Sequence, residues 1–366
     1  MHSAAKDVLL PIAAIGLALL LFGGFVAFAG VNPLDMWLTL FKGAFGDWFS
    51  WQNTLQRSAP LMLTALCVAL PARAGLTIIG GEGALVLGGL AAAALPMAVA
   101  LPGNAAGTVL ACAAGAVAGA LWIMLAGWLR QYRGINETIS SLLLSYVAIG
   151  LFKHFVEGAL RDPASLNKPA TPSLDPGLLI GGMGGSDVHW GLVLGVLACV
   201  ALGLWLHWTA SGFSIRVVGG NPRAAQLVGL PATRLILVAC ALGGAAAGLA
   251  GAVEVAAVHT NANGALIAGY GYAGILVAFI ARHNPIAIIP VAILFGGFGA
   301  AGSLLQRRLG LPDASVMVLQ GIAFVLILAS ETLRDVDWRA LWAQRRSRPA
   351  EATTPTAPPT ANVEPI

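Results

Sequence analysis

Three carboxylates stand inside or at the mouth of long apolar stretches: Glu82, Glu137 and Glu254. An ionised side chain at the centre of a bilayer costs at least ~2.5–3.5 kcal/mol, so such a group must face a cavity, a partner or a helix end. Glu82 and Glu254 are expected in a polar interior, with the capping of a broken helix start as the plainer alternative. Asn136-Glu137 closely follows Arg130 and Arg133 and reads as a capped helix start at an aqueous edge. No catalytic constellation accompanies these acids. There is no GxxxxGK[ST] loop, and Gly-Lys does not occur anywhere, so nucleotide cannot be held in that way. HExxH is absent, and the six histidines are dispersed. His207 and His259 fall near predicted membrane edges. Cys67, Cys112, Cys199 and Cys240 lie in apolar stretches without CxxC spacing and read as packing residues. No metal site, bound cofactor or enzymatic activity is expected of this chain.

The elements that must position these groups follow from composition. Of 366 residues, 58% are hydrophobic and 10% charged, and mean hydropathy is +0.82. A soluble domain carries about 25% charged residues, so too little charge is present here to cover a water-facing surface. The apolar stretches are long rather than alternating, which excludes a transmembrane barrel. The net charge of +4 is scattered rather than clustered, and no nucleic-acid partner is implied. The fold class expected is an all-α membrane protein, a polytopic bundle of about ten transmembrane helices embedded in the lipid bilayer.

The candidate spans are Val8–Gly30, Leu55–Ala72, Leu76–Ala98, Ala105–Leu129, Glu137–Val156, Trp190–Trp208, Leu235–Ala257, Tyr270–Ala281, Ile286–Leu304 and Ser315–Leu333. Leu76–Ala98 opens on a glycine-rich run containing Glu82, and Tyr270–Ala281 is short. Such segments are where transporters break helices, and Glu82 and Glu254 would then mark a polar path across the membrane. Ten spans put both termini on one side. With that side cytoplasmic, thirteen Lys and Arg fall inside and seven outside, Arg57 and the pair Arg307–Arg308 among the latter. Trp48, Trp51, Trp128, Trp190, Trp208 and Trp338 fall at span ends, as interfacial rings should. The first span is too long for a cleaved signal peptide. The transmembrane domain is therefore read as 1–342, and the Pro/Thr/Ala-rich 343–366 as a disordered cytoplasmic tail.

Ala111–Gly115 and Ala239–Gly243 are alike, and their helices run in opposite directions, as two inverted halves would require. Shared composition accounts equally for so short a match. Gly115/Gly119 and Gly244/Gly248 are small-xxx-small pairs that permit close helix approach.

The polar, basic segment 212–234 falls on the cytoplasmic side. Asn221-Pro222 starts a helix there, and Gly229 followed by Pro231 stops it. The resulting short helix, Pro222–Val228, is suited to docking in a groove of a soluble partner.

Four blocks carry a family resemblance. Gly75-Leu-Thr-Ile-Ile-Gly-Gly-Glu-Gly-Ala84 resembles a Gly-Leu-x-Asn-Ile-Gly-x-Glu-Gly-Gln stretch of permease subunits of bacterial ABC importers. The branch in question handles nucleosides and simple sugars and is related to the branched-chain amino acid permeases. Gly134-Ile-Asn-Glu-Thr-Ile-Ser-Ser-Leu-Leu-Leu-Ser-Tyr146 is similar to its Asn-Glu-Val-Ile-Ser-Thr-x-Met-Leu-Asn-Tyr stretch. Gly220-Asn-Pro-Arg-Ala-Ala225 with Gly229 resembles its coupling segment. Gly269-Tyr-Gly-Tyr-x-Gly274, Arg282-His-Asn-Pro285 and Leu294-Phe-Gly296 are similar to its later string.

The resemblance implies the pore-forming subunit of an importer in a bacterial cytoplasmic membrane. Its partners would be a second permease (homologous or identical), ABC ATP-binding subunits holding ATP and Mg, and an extracytoplasmic binding protein. Asn221, Pro222, Arg223, Ala224, Ala225 and Gly229 would form the ATPase coupling element, and Glu82 and Gly83 would lie where a broken helix faces the pore. Ile78, Ala84 and Ser145 replace the family's amides, which unsettles the solute class. The expected solutes are nucleosides or related small polar molecules. Simple sugars or amino acids are the alternative, and an ion-coupled carrier using Glu82 or Glu254 is a further one.

Overall fold

A computed structural model describes residues 2–312 and 314–334; the 343–366 tail, Trp338 and the 342 boundary lie outside the described residues. The regular structure of the described residues is helical: α1 (His2–Phe28), α2 (Pro33–Phe45), α3 (Trp48–Arg73), α4 (Gly81–Ala98), α5 (Ala105–Arg133), α6 (Glu137–Glu157), α7 (Gly191–Trp208), α8 (Ala210–Gly220), α9 (Pro222–Leu227), α10 (Ala232–Val253), α11 (Tyr270–Ile280), α12 (Pro285–Leu309) and α13 (Ser315–Arg334). Seven helices among the described residues are long and apolar enough to cross a membrane, and several shorter apolar ones join them. It is a polytopic membrane bundle.

Each apolar stretch read from the sequence corresponds to a helix, but three helical features were not anticipated. α2 carries Asp35 and Lys42 and breaks the hydropathy signal. α8 lies in what reads as a polar loop. α3 begins at Trp48, seven residues before the predicted Leu55, because Asp47 caps it by accepting from the Ser50 amide at 2.7 Å. Arg57 consequently stands well inside the helix rather than at its start. Asn-Pro pairs start three helices, at Asn32-Pro33, Asn221-Pro222 and Asn284-Pro285. In each the asparagine side chain takes a free first-turn amide, and the proline has no N–H to leave unpaired.

α3 and α10 form the centre. α10 packs on α5, α4 and α3, while α3 packs on α12, α10 and α11. Between apolar helices in lipid there is little hydrophobic drive, so close backbone approach supplies the packing. The two small-residue pairs face each other: a β-carbon on Gly248 would overlap the Gly115 carbonyl, and one on Gly244 the Gly119 carbonyl. Thus Ala111–Gly115 and Ala239–Gly243 lie on helices packed against each other, α5 and α10.

At one end of the bundle, α8 and α9 join α7 to α10. At the other, α10 runs into a π-helical turn, Glu254–His259, which the 158–190 segment straps down. Thr171 N donates to Ala262 O (3.0 Å), Leu174 N to Thr260 O (2.8 Å) and Ile180 N to Ala256 O (2.9 Å). The buried Thr171 hydroxyl accepts from the Ala262 amide.

Candidate functional site

Two helix N-termini meet in the interior. After α3 the chain runs through residues 76–80 without helix and starts α4 at Gly81; α11 starts at Tyr270 after Gly269, whose φ is +80°. With 11 residues α11 is about 16 Å long, too short for a hydrocarbon core of ~30 Å. Glu82, fully buried, joins the two starts: Oε1 accepts from the Gly269 amide (2.9 Å) and Oε2 from the Gly271 amide (2.6 Å). The carboxylate therefore caps α11, not its own helix. Two N-terminal dipole ends converge on one negative charge, and charge-assisted bonds offset its desolvation.

α6 holds the non-helical run in place. The Thr138 hydroxyl donates to Thr77 O (2.9 Å), and the Ser141 hydroxyl accepts from the Ile79 amide (3.1 Å). Gly83 packs on Ser145, whose Cα would stand 2.7 Å from a β-carbon there. On the other side, the Thr64 hydroxyl of α3 donates to Tyr270 O (3.0 Å). Thr138, Ser141 and Thr64 were not singled out from sequence, since a lone Ser or Thr in an apolar helix has no distinguishing signal.

Beside this junction lies a cavity of about 500 Å³ between α3, α11, α12 and α13. Its polar lining is Arg57, Tyr270, Tyr272 and Gln320, against Leu61, Ile79, Phe295 and Phe324. Arg57 and Tyr270 share the lining of this cavity. Glu82, Gly83 and Glu254 do not line this cavity; Glu82 stands directly behind its wall at Gly269. Glu254 is buried in the π-turn, with Oε2 3.6 Å from His259 Nε2. Ile78, Ala84 and Ser145 are also fully buried and do not line this cavity. Neither Arg57 nor Tyr270 stands out as a site residue in the sequence: Arg57 counts among the outside charges at the start of its span, and Tyr270 belongs to a family block that carries no role for it.

Asn136 caps α6 through the Thr138 and Ile139 amides, and Glu137 pairs with Arg130 at 3.2 Å. At the same end stands α9. Asn221 Oδ1 accepts from the Ala224 amide (3.0 Å), Gly229 takes φ +83°, and Ala225 is the buried anchor. Asn221, Pro222, Arg223 and Ala224 are exposed, and Leu227 and Val228 project with 89% and 72% exposure. Exposed apolar side chains on a capped, protruding turn suit a docking contact. Nearby, in the α11–α12 turn, burial and the Arg73 charge push the His283 imidazole down to about 4. Among the described residues no three His, Cys, Asp or Glu side chains group as a metal site would require.

The described residues thus form an all-helical membrane bundle with an interior cavity and a protruding helix at one end. Residues 50–328 match the family described as the branched-chain amino acid transport system permease component, and the chain belongs to that family. It is 33% identical over 349 residues to a glucose ABC transporter permease protein of Haloferax volcanii, covering 92% of each chain. A guanosine ABC transporter permease protein of Bacillus subtilis is 27% identical (90% of this chain, 96% of the relative). A nucleoside ABC transporter permease protein of Lactococcus lactis is 28% identical (92% and 94%). The chain is the non-catalytic transmembrane permease subunit of an ABC importer. The ion-coupled carrier reading is set aside with that membership, and Glu82, engaged by two amides, has the environment of a cap.

Proposed function

We propose that this permease conducts nucleosides or closely related ring-bearing polar solutes. The observation that carries this reading is the cavity bearing Tyr270, Tyr272, Arg57 and Gln320. Aromatic faces accept flat rings, and an amide donates and accepts toward base or ribose edges. Nucleoside permeases among the relatives support it. Simple sugars are the second reading, favoured by the 33% identity to a glucose permease.

Ten spans with both termini cytoplasmic remain the topology preferred by the basic-residue count. In it α4 and α11 are half-helices of two inverted halves, α3–α6 and α10–α13, which match α5 with α12 and leave the likeness of Ala111–Gly115 to Ala239–Gly243 to shared composition. Two features support the halves: α12 packs on α3 as α5 packs on α10, and Gly75/Gly80 and Gly264/Gly269 precede α4 and α11 at equal spacing. Residues 212–234 then face the cytoplasm, and Asn221–Gly229 docks an ATP-binding subunit that holds ATP and Mg. A second permease copy or homologue completes the pore, and a binding protein delivers solute in the bacterial cytoplasmic membrane.

The test is uptake into proteoliposomes carrying the chain with its ATP-binding subunit and binding protein. Guanosine, adenosine, glucose and leucine are offered in turn. ATP-dependent nucleoside uptake is expected. Uptake of glucose alone moves the assignment to sugars, and proton-driven uptake without the ATP-binding subunit overturns the importer assembly.

A further inference from the structure

α11 is held at both ends. Glu82 grips its N-terminus, and at its C-terminus Arg73, the last residue of α3, donates through Nε to the His283 carbonyl (2.9 Å) and through Nη2 to the Arg282 carbonyl (3.3 Å). A carboxylate at the first turn and a guanidinium past the last complement the helix dipole at each end. The gripped residues are unusual. Arg282 and His283 are consecutive and left-handed, with φ of 53° and 56°, a region that non-glycine residues visit singly.

Arg73 also touches the α8–α9 segment. A β-carbon on Gly219 would overlap the Arg73 carbonyl, and one on Gly75 would stand 3.2 Å from the Gly219 carbonyl. The contact is backbone on backbone, with no side chain between to absorb a shift. Gly219 stands two residues before Asn221, the cap of α9. One residue therefore bears on the protruding helix through its main chain and on α11 through its side chain. α11 supplies Tyr270, Tyr272, Ala273, Ile275 and Leu276 to the cavity wall.

We propose that Arg73 is the positioning residue that passes a displacement of α9 to α11, so that α11 is the moving wall of the cavity. The inference rests on the reading of α9 as the ATPase-docking helix. Motion of α8–α9 presses on the end of α3 at Gly219. The guanidinium carries it to the α11–α12 turn, and Glu82 makes the start of α4 move with the start of α11.

The test is the number of solute molecules moved per ATP hydrolysed in proteoliposomes bearing the assembled importer. Arg73→Gln keeps polarity but loses the fork that spans two carbonyls. Its coupling ratio is expected to fall about tenfold or more, with hydrolysis within about twofold of the parent. Gly219→Ala reaches the same contact from the other side and is expected to reproduce that fall, while Arg73→Lys, which can keep one bond, retains part of the coupling. An unchanged ratio in assembled Arg73→Gln importer overturns the proposal. So does a parallel loss of assembly, hydrolysis and uptake across all three variants, which makes Arg73 structural. If the parent chain retains no ATP-binding subunit, the docking reading of α9 falls and this proposal with it.

Discussion

Gly271 lies so close to Glu82 that a β-carbon on the glycine would overlap the Glu82 amide nitrogen. The same pair is joined by the 2.6 Å bond from the Gly271 amide to Oε2. Size and charge are thus satisfied at one point, and neither residue can change without disturbing the other.

Gly271→Ala is accordingly expected to destabilise the chain by about 1–3 kcal/mol, the range for overpacking a filled interior. Gly264→Ala, where a β-carbon meets open space, serves as the control. Thermal unfolding in detergent reads the difference, and equal midpoints for both variants would contradict the close approach.

Glu82→Ala leaves the part-buried Gly269 amide and the buried Gly271 amide without this partner, the buried one at roughly 1–3 kcal/mol. Transport is expected to fall while the variant still assembles with its partners; Glu82→Gln, which keeps one acceptor oxygen, is expected to fall less. Solute uptake and size-exclusion chromatography check both. Full uptake by Glu82→Ala would reduce the side chain to a dispensable cap.

Arg223→Glu reverses the charge on the exposed face of α9 and touches no interior contact. The fold is expected to stay intact and recovery of the ATP-binding subunit in pull-down to drop. Unchanged recovery counts against docking at α9.

Acid is expected to loosen the α11–α12 turn. The folded His283 imidazole titrates near 4, below its usual value of 6.5. Between those values the unfolded chain binds the proton and the folded chain does not, so stability is lost as pH falls from about 6.5 toward 4. His283→Asn removes the titration and suits a left-handed φ. Its unfolding midpoint should vary less between pH 7 and 5 than the parent's; parallel curves would dissociate His283 from the effect.

Local chemistry made much of this chain legible. Apolar runs marked the long helices, Asn221-Pro222 and Gly229 marked both ends of α9, and Arg130 with Asn136-Glu137 marked the start of α6. Pairings across long chain separations were not legible. Nothing near Glu82 indicates that its partners are Gly269 and Gly271, and the resemblance of both blocks to one family says nothing about their contact. Arg57 stood near the predicted start of its span because hydropathy located α3 by its apolar part, whereas the Asp47 cap sets where the helix begins. α2 and α8 escaped because a short helix of mixed polarity has no hydropathy peak.

The strap over the π-turn has a consequence for how the far side of the bundle can be cut. Leu166 stands exposed within the strap, ahead of its bonded part, while Thr171, Leu174 and Ile180 are bonded to the 256–262 stretch. A protease severing the chain at Leu166 would leave both pieces attached, the second anchored by its own main-chain bonds and by α7. The nicked protein should run as one particle in detergent and separate into two bands only when denatured.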